Sequence, residues 1–324
     1  MSTRAWMIFA AVSTLWGIPY LFIKIAVDGG VTPGLLAWGR VTLAAIVLLG
    51  LARRSGSLRG LRRRWRWLAA YAVLEVSIPF PLIAAGEQRI SSSLAAIIIA
   101  TVPLNVALLA LRFDRAERAS GTRLVGLCTG LLGVIVLVGV DAAGDLHTLI
   151  GAFAVMIAAL GYAAGPMIYK RHLADLDPRA AMGASLAIAA VVLAPVAVLD
   201  RPAHSPSAGA LGAVVVLGLV CTALAFSLMA VLISEIGPAR AVVITYINPI
   251  IAVALGVAVL GEQPGAGAVA GLLLILAGSW LSTDGRLPPG VTALFERARK
   301  RRPVTVERPI DPAVGGAVGG AVGL

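Results

Sequence analysis

Two charged residues lie where an apolar chain ordinarily carries none. Glu75 lies in Tyr71-Ala72-Val73-Leu74-Glu75, and Arg40 lies in Leu36-Ala37-Trp38-Gly39-Arg40, each inside a long apolar run. If those runs are membrane helices, Glu75 is roughly eight residues in, ~12 Å into a ~30 Å hydrocarbon core, and Arg40 is ~9 Å deep from the other side. A carboxylate at that depth faces a cavity or a partner. It can carry a proton or hold a substrate ammonium, or it can be a structural group tied to an arginine. Arg40 is the expected partner of Glu75, directly or through a shared water cavity. Alone, it suits a substrate carboxylate.

Just beyond Glu75 comes Pro79-Phe80-Pro81. Neither proline can donate to a helical ladder, and freed carbonyls at membrane depth are tolerated where they line a cavity. Pro103 and Pro249 interrupt two other runs, which makes Pro79, Pro81, Pro103 and Pro249 candidate gating kinks, the alternative being kinks that serve packing alone. Asn105, Thr245, Tyr246 and Asn248 are polar groups inside two later runs. Trp16, Tyr20 and Tyr162 are aromatic groups inside two others. Together they offer rings and hydrogen bonds to a solute, or tie helices together. Cys128 and Cys221 fall in apolar runs and read as buried small hydrophobes. His147, His172 and His204 fall in predicted loops, so neither a metal site nor a cofactor is expected.

The elements that position these residues follow from composition. Hydrophobic residues make up 59% of the 324 and charged residues 13%, against about 45–50% and about 25% in soluble domains. Runs such as Leu94–Leu111 and Leu124–Val140 lack the alternation of a transmembrane barrel. The expected fold is therefore all-α and integral to the membrane, because a spanning segment must satisfy its own backbone. Ten spans are predicted, at 5–26, 34–52, 67–86, 91–111, 121–140, 149–169, 180–199, 209–232, 240–260 and 265–282. The N-terminal run is too long for a signal-peptide core and reads as a first helix that stays in the membrane.

The net charge of +11 resides in connections and in the tail. With the N-terminus inside, every Lys and Arg except Lys24, Arg40, Arg89 and Arg201 falls on the cytoplasmic side. The segment Arg53–Arg66 alone holds seven arginines. This predicts an inner (plasma) membrane location with both termini cytoplasmic, and it leaves no basic-aromatic surface for nucleic acid. The tail, 283–324, reads as basic and disordered. Arg297, Arg299, Lys300, Arg301 and Arg302 suit anionic lipid headgroups or act only as a retention signal. Trp65 and Trp67 suit the interfacial belt.

The chain also repeats at an offset of about 145 residues. Leu15 pairs with Leu160, Lys24 with Lys170, Pro33 with Pro178, Pro103 with Pro249, Glu117 with Glu262, Gly126 with Gly271 and Gly133 with Gly278. The predicted units are 1–140 and 141–282, each of five helices. An odd number inverts the second copy, an arrangement of secondary transporters. Gly126-x-x-x-Gly130 allows close helix approach, for internal packing or a dimer seam, so a monomer and a homodimer both stay open.

These features resemble the EamA-type members of the drug/metabolite transporter superfamily. The matching residues are Leu15-Trp16-Gly17, Pro103, Ala239–Gly261 with Asn248-Pro249, Gly261-Glu262, Gly271 and Gly278, over about residues 5–282. Asp114-Arg115-Ala116-Glu117 and Gly161-Tyr162 depart from the pattern. The resemblance implies a carrier with a central cavity between the halves, moving a small organic solute such as a metabolite, amino acid or drug, often outward. An integral-membrane enzyme is the alternative. It would need intramembrane nucleophiles, metal ligands or paired acids, and the sequence offers no His-Glu-x-x-His, no intramembrane aspartate pair and no P-loop. A channel-like protein is a further one, but Asn248-Pro249 lacks the alanine of the aquaporin turn and has no counterpart at Val102-Pro103.

Overall fold

The structure, a computed structural model, describes residues 2–113, 121–141, 145–236 and 244–282. Glu117 with its neighbouring arginines, Ala239, Arg240 and the basic tail lie outside the described residues. So does the side chain of Arg123.

Among the described residues the chain is helical throughout. The elements are α1 (Thr3–Gly17), α2 (Pro19–Asp28), α3 (Pro33–Arg54), α4 (Trp65–Ala72), α5 (Pro79–Glu87), α6 (Ser92–Ile99) and α7 (Val102–Phe113). They continue with α8 (Thr122–Asp141), α9 (Leu146–His172), α10 (Pro178–Leu199), α11 (Ala208–Gly218), α12 (Ala225–Ile236), α13 (Ile244–Leu260) and α14 (Ala266–Ser282). Among the described residues, seven stretches are long and apolar enough to cross a membrane: Thr3–Asp28, Pro33–Arg54, Leu61–Glu87, Ser92–Leu109, Leu146–His172, Pro178–Leu199 and Ala208–Ile236. The other apolar helices, Leu124–Leu137, Ile244–Leu260 and Ala266–Leu281, are shorter. The molecule's outer surface is apolar: Val191 is 75% exposed and Leu199 85%. That is the pattern of a surface solvated by lipid.

Several predicted spans are broken. The first is split at Ile18, because Pro19 starts a new helix at its first position, where its missing N–H costs nothing. The fourth is split at Ala100 and Thr101 for the same reason, with Pro103 in the first turn of α7. Pro249 instead lies inside α13. The two prolines therefore do not make the same local geometry, contrary to the expectation of equivalent kinks. The third span begins earlier than predicted, with a tight turn at Leu61–Arg64 ahead of α4. The sixth is also longer, and takes His147 and His172 out of the predicted loops into α9. Cys128 is exposed rather than buried, whereas Cys221 is buried.

Helices α8 and α14 pack through glycine. A Cβ on Gly278 would lie 2.3 Å from the Gly130 amide nitrogen and 2.6 Å from the Gly126 carbonyl oxygen. One on Gly133 would lie 3.0 Å from the Gly271 carbonyl oxygen. Gly126-x-x-x-Gly130 is therefore an internal seam of this chain, in which backbones meet as only small residues allow. Helices α3 and α10 form the other long pair, with Gly183 against Leu48.

Two carboxylates cap helices from the opposite part of the chain. Asp200 accepts from the Gly34 amide at 2.8 Å, and its carbonyl accepts from the Thr32 hydroxyl at 2.5 Å, at the start of α3. Glu262 accepts from the Ser92 and Ser93 amides at 2.7 and 3.0 Å and from the Ser93 hydroxyl, at the start of α6. Each satisfies N–H groups that a helix start leaves unpaired and meets the positive end of its dipole. Both caps lie at the end of the molecule where α2 finishes at Asp28. At the other end, where α3 finishes at Arg54, the links are the exposed pairs Arg64–Asp175 at 2.9 Å and Arg4–Glu235 at 3.2 Å.

Two outcomes follow for stability. Gly278→Ala should cost about 1–3 kcal/mol through backbone displacement, whereas Gly50→Ala, which meets nothing within 4 Å, should leave thermal unfolding in detergent unchanged or raise its midpoint. Burial pushes the Glu262 carboxyl up, and hydrogen bonds from Ser93 and Ser92 more than offset it, holding the group below its ordinary value. A group depressed on folding contributes fully above its unfolded value, and the contribution is lost as pH falls through the folded one. Glu262→Gln should therefore cost about 1 kcal/mol of stability at pH 7, as for other caps, and lower the unfolding midpoint, with the difference from wild type shrinking under acid.

Candidate functional site

The site is built around a break in the ladder. Between α4 and α5 the segment Val73–Ser77 winds one residue wider than an α-helix, and the Ile78 amide donates five residues back to the Val73 carbonyl at 3.0 Å. The cause is chemical: Pro79 and Pro81 supply no N–H, so the carbonyls below them lose their partners. The Ser77 hydroxyl takes up the Ala72 carbonyl, also five residues back, at 3.1 Å. Glu75 sits in this wide turn, and its Oε2 is buried without a hydrogen-bond partner. The side chain lies on Gly165 of α9, where a Cβ would come within 2.0 Å of that oxygen.

A second wide turn, Leu219–Leu224, joins α11 to α12. No proline causes it. The Thr222 hydroxyl there donates to the Leu217 carbonyl at 2.7 Å, again five residues back. The two turns match at the repeat offset, Ser77 with Thr222 and Ala72 with Leu217.

Arg40, from α3, reaches this second turn. It is 7% exposed, its Nε donates to Thr222 Oγ1 at 2.8 Å, and its guanidinium carbon lies 4.1 Å from the centre of the Phe80 ring. Tyr20 of α2, Tyr162 of α9 and Cys221 lie within electrostatic reach of it, and Tyr162 is also within reach of Glu75. The expected direct pair between Arg40 and Glu75 is not formed. The wide turn carries Glu75 toward Gly165, while Phe80 and Thr222 hold Arg40. The interior therefore presents a cation and an acid separately, with Tyr162 near both.

The other sequence candidates are tied elsewhere. Trp16 packs edge-on against Phe226 at 5.5 Å. With its amide nitrogen facing the acceptors, Asn248 donates to the Ser13 and Ile244 carbonyls at 3.0 and 2.9 Å, binding α13 to α1. Asn105 donates to Thr101 Oγ1 at 3.3 Å within its own helix region. The Tyr246 hydroxyl donates to the Ser279 carbonyl at 3.2 Å, between α13 and α14. For Asn248 and Tyr246 the helix-tying role describes what the side chains do. Trp67 stacks on His172 at 3.5 Å and Trp65 is exposed, as interfacial residues are.

Sequence reasoning missed Thr222, Phe80 and Glu87. Thr222 looked like one of many small polar residues in an apolar run. Glu87 sat one residue past the predicted end of its span, which is two turns longer than expected toward Leu61. Among the described residues no three His, Cys, Asp or Glu converge as metal ligands.

Comparison with known proteins agrees with this architecture. The model of the EamA-like transporter family matches residues 4–139 and again 149–283. The chain is 30% identical over 263 residues to the Escherichia coli K12 protein named uncharacterized inner membrane transporter YedA, covering 78% of this chain and 81% of that protein. It is 24% identical over 281 residues to an uncharacterized transporter of Archaeoglobus fulgidus, covering 86% and 98%. One solved crystal structure shares the fold with a TM-score of 0.62 at 21% identity, over 87% of this chain and 98% of that one. The double match of the family model, spanning nearly all of the described helices, places the chain in the EamA-like transporter family.

Proposed function

We propose that the protein is a secondary transporter of a small organic solute, built from ten spans as two inverted five-helix repeats, 1–140 and 141–282, and working by alternating access. The observation that carries this reading is the matched pair of wide turns, each beside a polar side chain of the interior: Glu75 in one, and Thr222 holding Arg40 in the other. Irregular backbone at membrane depth is tolerated where it lines a cavity. Its placement at one offset in both repeats is what a carrier with two exchangeable halves needs.

The helix packing supports the same reading. Pairs of helices that the offset would exchange, α8 with α14 and α3 with α10, lie against each other. In the proposed orientation both termini are cytoplasmic, and the Arg64 end faces the cytoplasm. The exposed ion pairs at that end are individually worth about 0–1 kcal/mol, so they do little to hold the cytoplasmic end closed. Arg40 binds an anionic group of the solute, and Glu75 takes a proton or a solute ammonium. Transport runs outward, as a metabolite, amino-acid or drug exporter that uses no ATP. The names of the relatives, transporters, favour this reading over an enzyme.

The test is resistance. Overexpressing cells, grown across a panel of toxic amino-acid analogues and cationic drugs, should tolerate at least one compound better than controls. Arg40→Gln removes a charge-assisted contact of about 1.5–3 kcal/mol, equal to roughly 10–100-fold in apparent affinity. In proteoliposomes loaded with the compound so identified, efflux should fall by that factor and Glu75→Gln should abolish its response to a pH gradient. Flux indifferent to the gradient and to Glu75→Gln would rule out coupling through Glu75. Flux indifferent to Arg40→Gln would remove the anion-binding role.

A further inference from the structure

Glu87, the last residue of α5, has no role in the site described above. It is fully buried, and neither of its carboxylate oxygens has a hydrogen-bond partner. An ionised carboxylate without donors in such a place costs several kcal/mol, so the geometry fits the neutral acid. Yet a cation is already at hand. Lys24 of α2 donates its Nζ to the backbone carbonyl of Glu87 at 2.8 Å and pairs with Asp28 at 3.2 Å. Its ammonium lies within electrostatic reach of the Glu87 carboxyl, and Asp28, more than half exposed, can release it to water at little cost.

The surroundings of Glu87 are otherwise accounted for. Within its electrostatic reach are Lys24, Glu262, Asp28 and Arg40, and Tyr20 is within reach of both Glu87 and Arg40. Glu262 is spent on the α6 cap, and Arg40 is held by Thr222. Helix α6 contributes the Ser92 hydroxyl, buried and also without a partner. Helix α9 brings Val155 and the Gly151 backbone against Gly86. Arg89 turns back onto the Ala85 carbonyl.

We propose that Glu87 is a proton-binding site of this protein, distinct from Glu75, in which the proton is exchanged with water at the Asp28 end while Lys24 moves from Asp28 to the Glu87 carboxylate. The step balances. Glu87 in its acid form gives its proton to water, and the ammonium of Lys24 stays charged and becomes the counter-ion of the new carboxylate. Asp28 keeps its charge and is hydrated. In the reverse direction water returns the proton, and Lys24 goes back to Asp28. The site deepens the transport reading and rests on it for its purpose, since Glu87 and Glu75 would then mark the two ends of one polar interior running through Tyr20, Arg40 and Tyr162. Protonation itself is measurable without any solute.

Infrared difference spectroscopy of the purified full chain in lipid nanodiscs, titrated with acid and base in H₂O and D₂O, reads the carbonyl stretch of protonated carboxyl groups. Wild type should show a buried acid band, separate from that of Glu75, that disappears as pH rises. Glu87→Gln should abolish that band, and Glu75→Gln should leave it in place. Lys24→Met, which leaves Glu87 where it is but removes its counter-ion, should make the band persist to higher pH. A spectrum unaltered by Glu87→Gln, loss of that same band on Glu75→Gln, or a titration unmoved by Lys24→Met overturns the proposal. None of these outcomes depends on whether the chain carries a solute. A failed transport assay with the band intact therefore counts against the transport reading alone, and the converse result against Glu87 alone.

Discussion

The hydrogen bond from Arg40 to Thr222 connects two problems that an apolar interior sets. A guanidinium cannot be left without acceptors away from water. A widened helical turn leaves backbone carbonyls short of donors. The Thr222 hydroxyl answers both, accepting from Arg40 Nε and donating to the Leu217 carbonyl. The ring of Phe80 covers the guanidinium from the other side, and it is held there by the two prolines that widen the first turn. Removing Thr222 would leave the cation and the turn unsatisfied together, which couples helix α3 to the shape of the α11–α12 segment.

The ends of the molecule differ in how they are held. At the Asp28 end, carboxylates reach the exposed amides of two helix starts, and the Ser207 amide donates to the Gly29 carbonyl at 3.0 Å. Such contacts are directional and partly buried. At the Arg64 end the described links include ion pairs in water, weakened by salt and costing side-chain entropy, and the stack of Trp67 on His172. An asymmetry of this kind biases one arrangement without forbidding another, as a two-state carrier requires. Between the ends, the glycine seam of α8 and α14 gives no room for side-chain rearrangement and behaves as a rigid strut.

Much of this was legible in the sequence. Long apolar runs placed the helices, because lipid demands continuous stretches near twenty residues. The glycines of α8 and α14 announced a close approach, and Pro79 with Pro81 announced a broken ladder beside Glu75. What the sequence hid depends on tertiary partners. Nothing local marks the second wide turn, since Thr222 has no proline beside it and is identified only by Arg40 from 182 residues away. Asn248 and Tyr246 read equally well as solute ligands or helix ties until their acceptors were known. Arg40 and Glu75 looked like partners by depth alone, and the one-residue register change in the wide turn separated them. Glu262 was visible only as the repeat counterpart of Glu117, in Gly261-Glu262, and its cap on α6 joins residues 170 apart.

The central claim is that the two ends open in alternation. It is tested most directly by distances between spin labels on a chain lacking Cys128 and Cys221, with one pair at positions 59 and 235 and another at 88 and 204, in nanodiscs across a pH titration. Alternating access predicts at least two distance populations for each pair, with the long population of one rising as the long population of the other falls. A single unmoving distance at both ends, or both lengthening together, would contradict it.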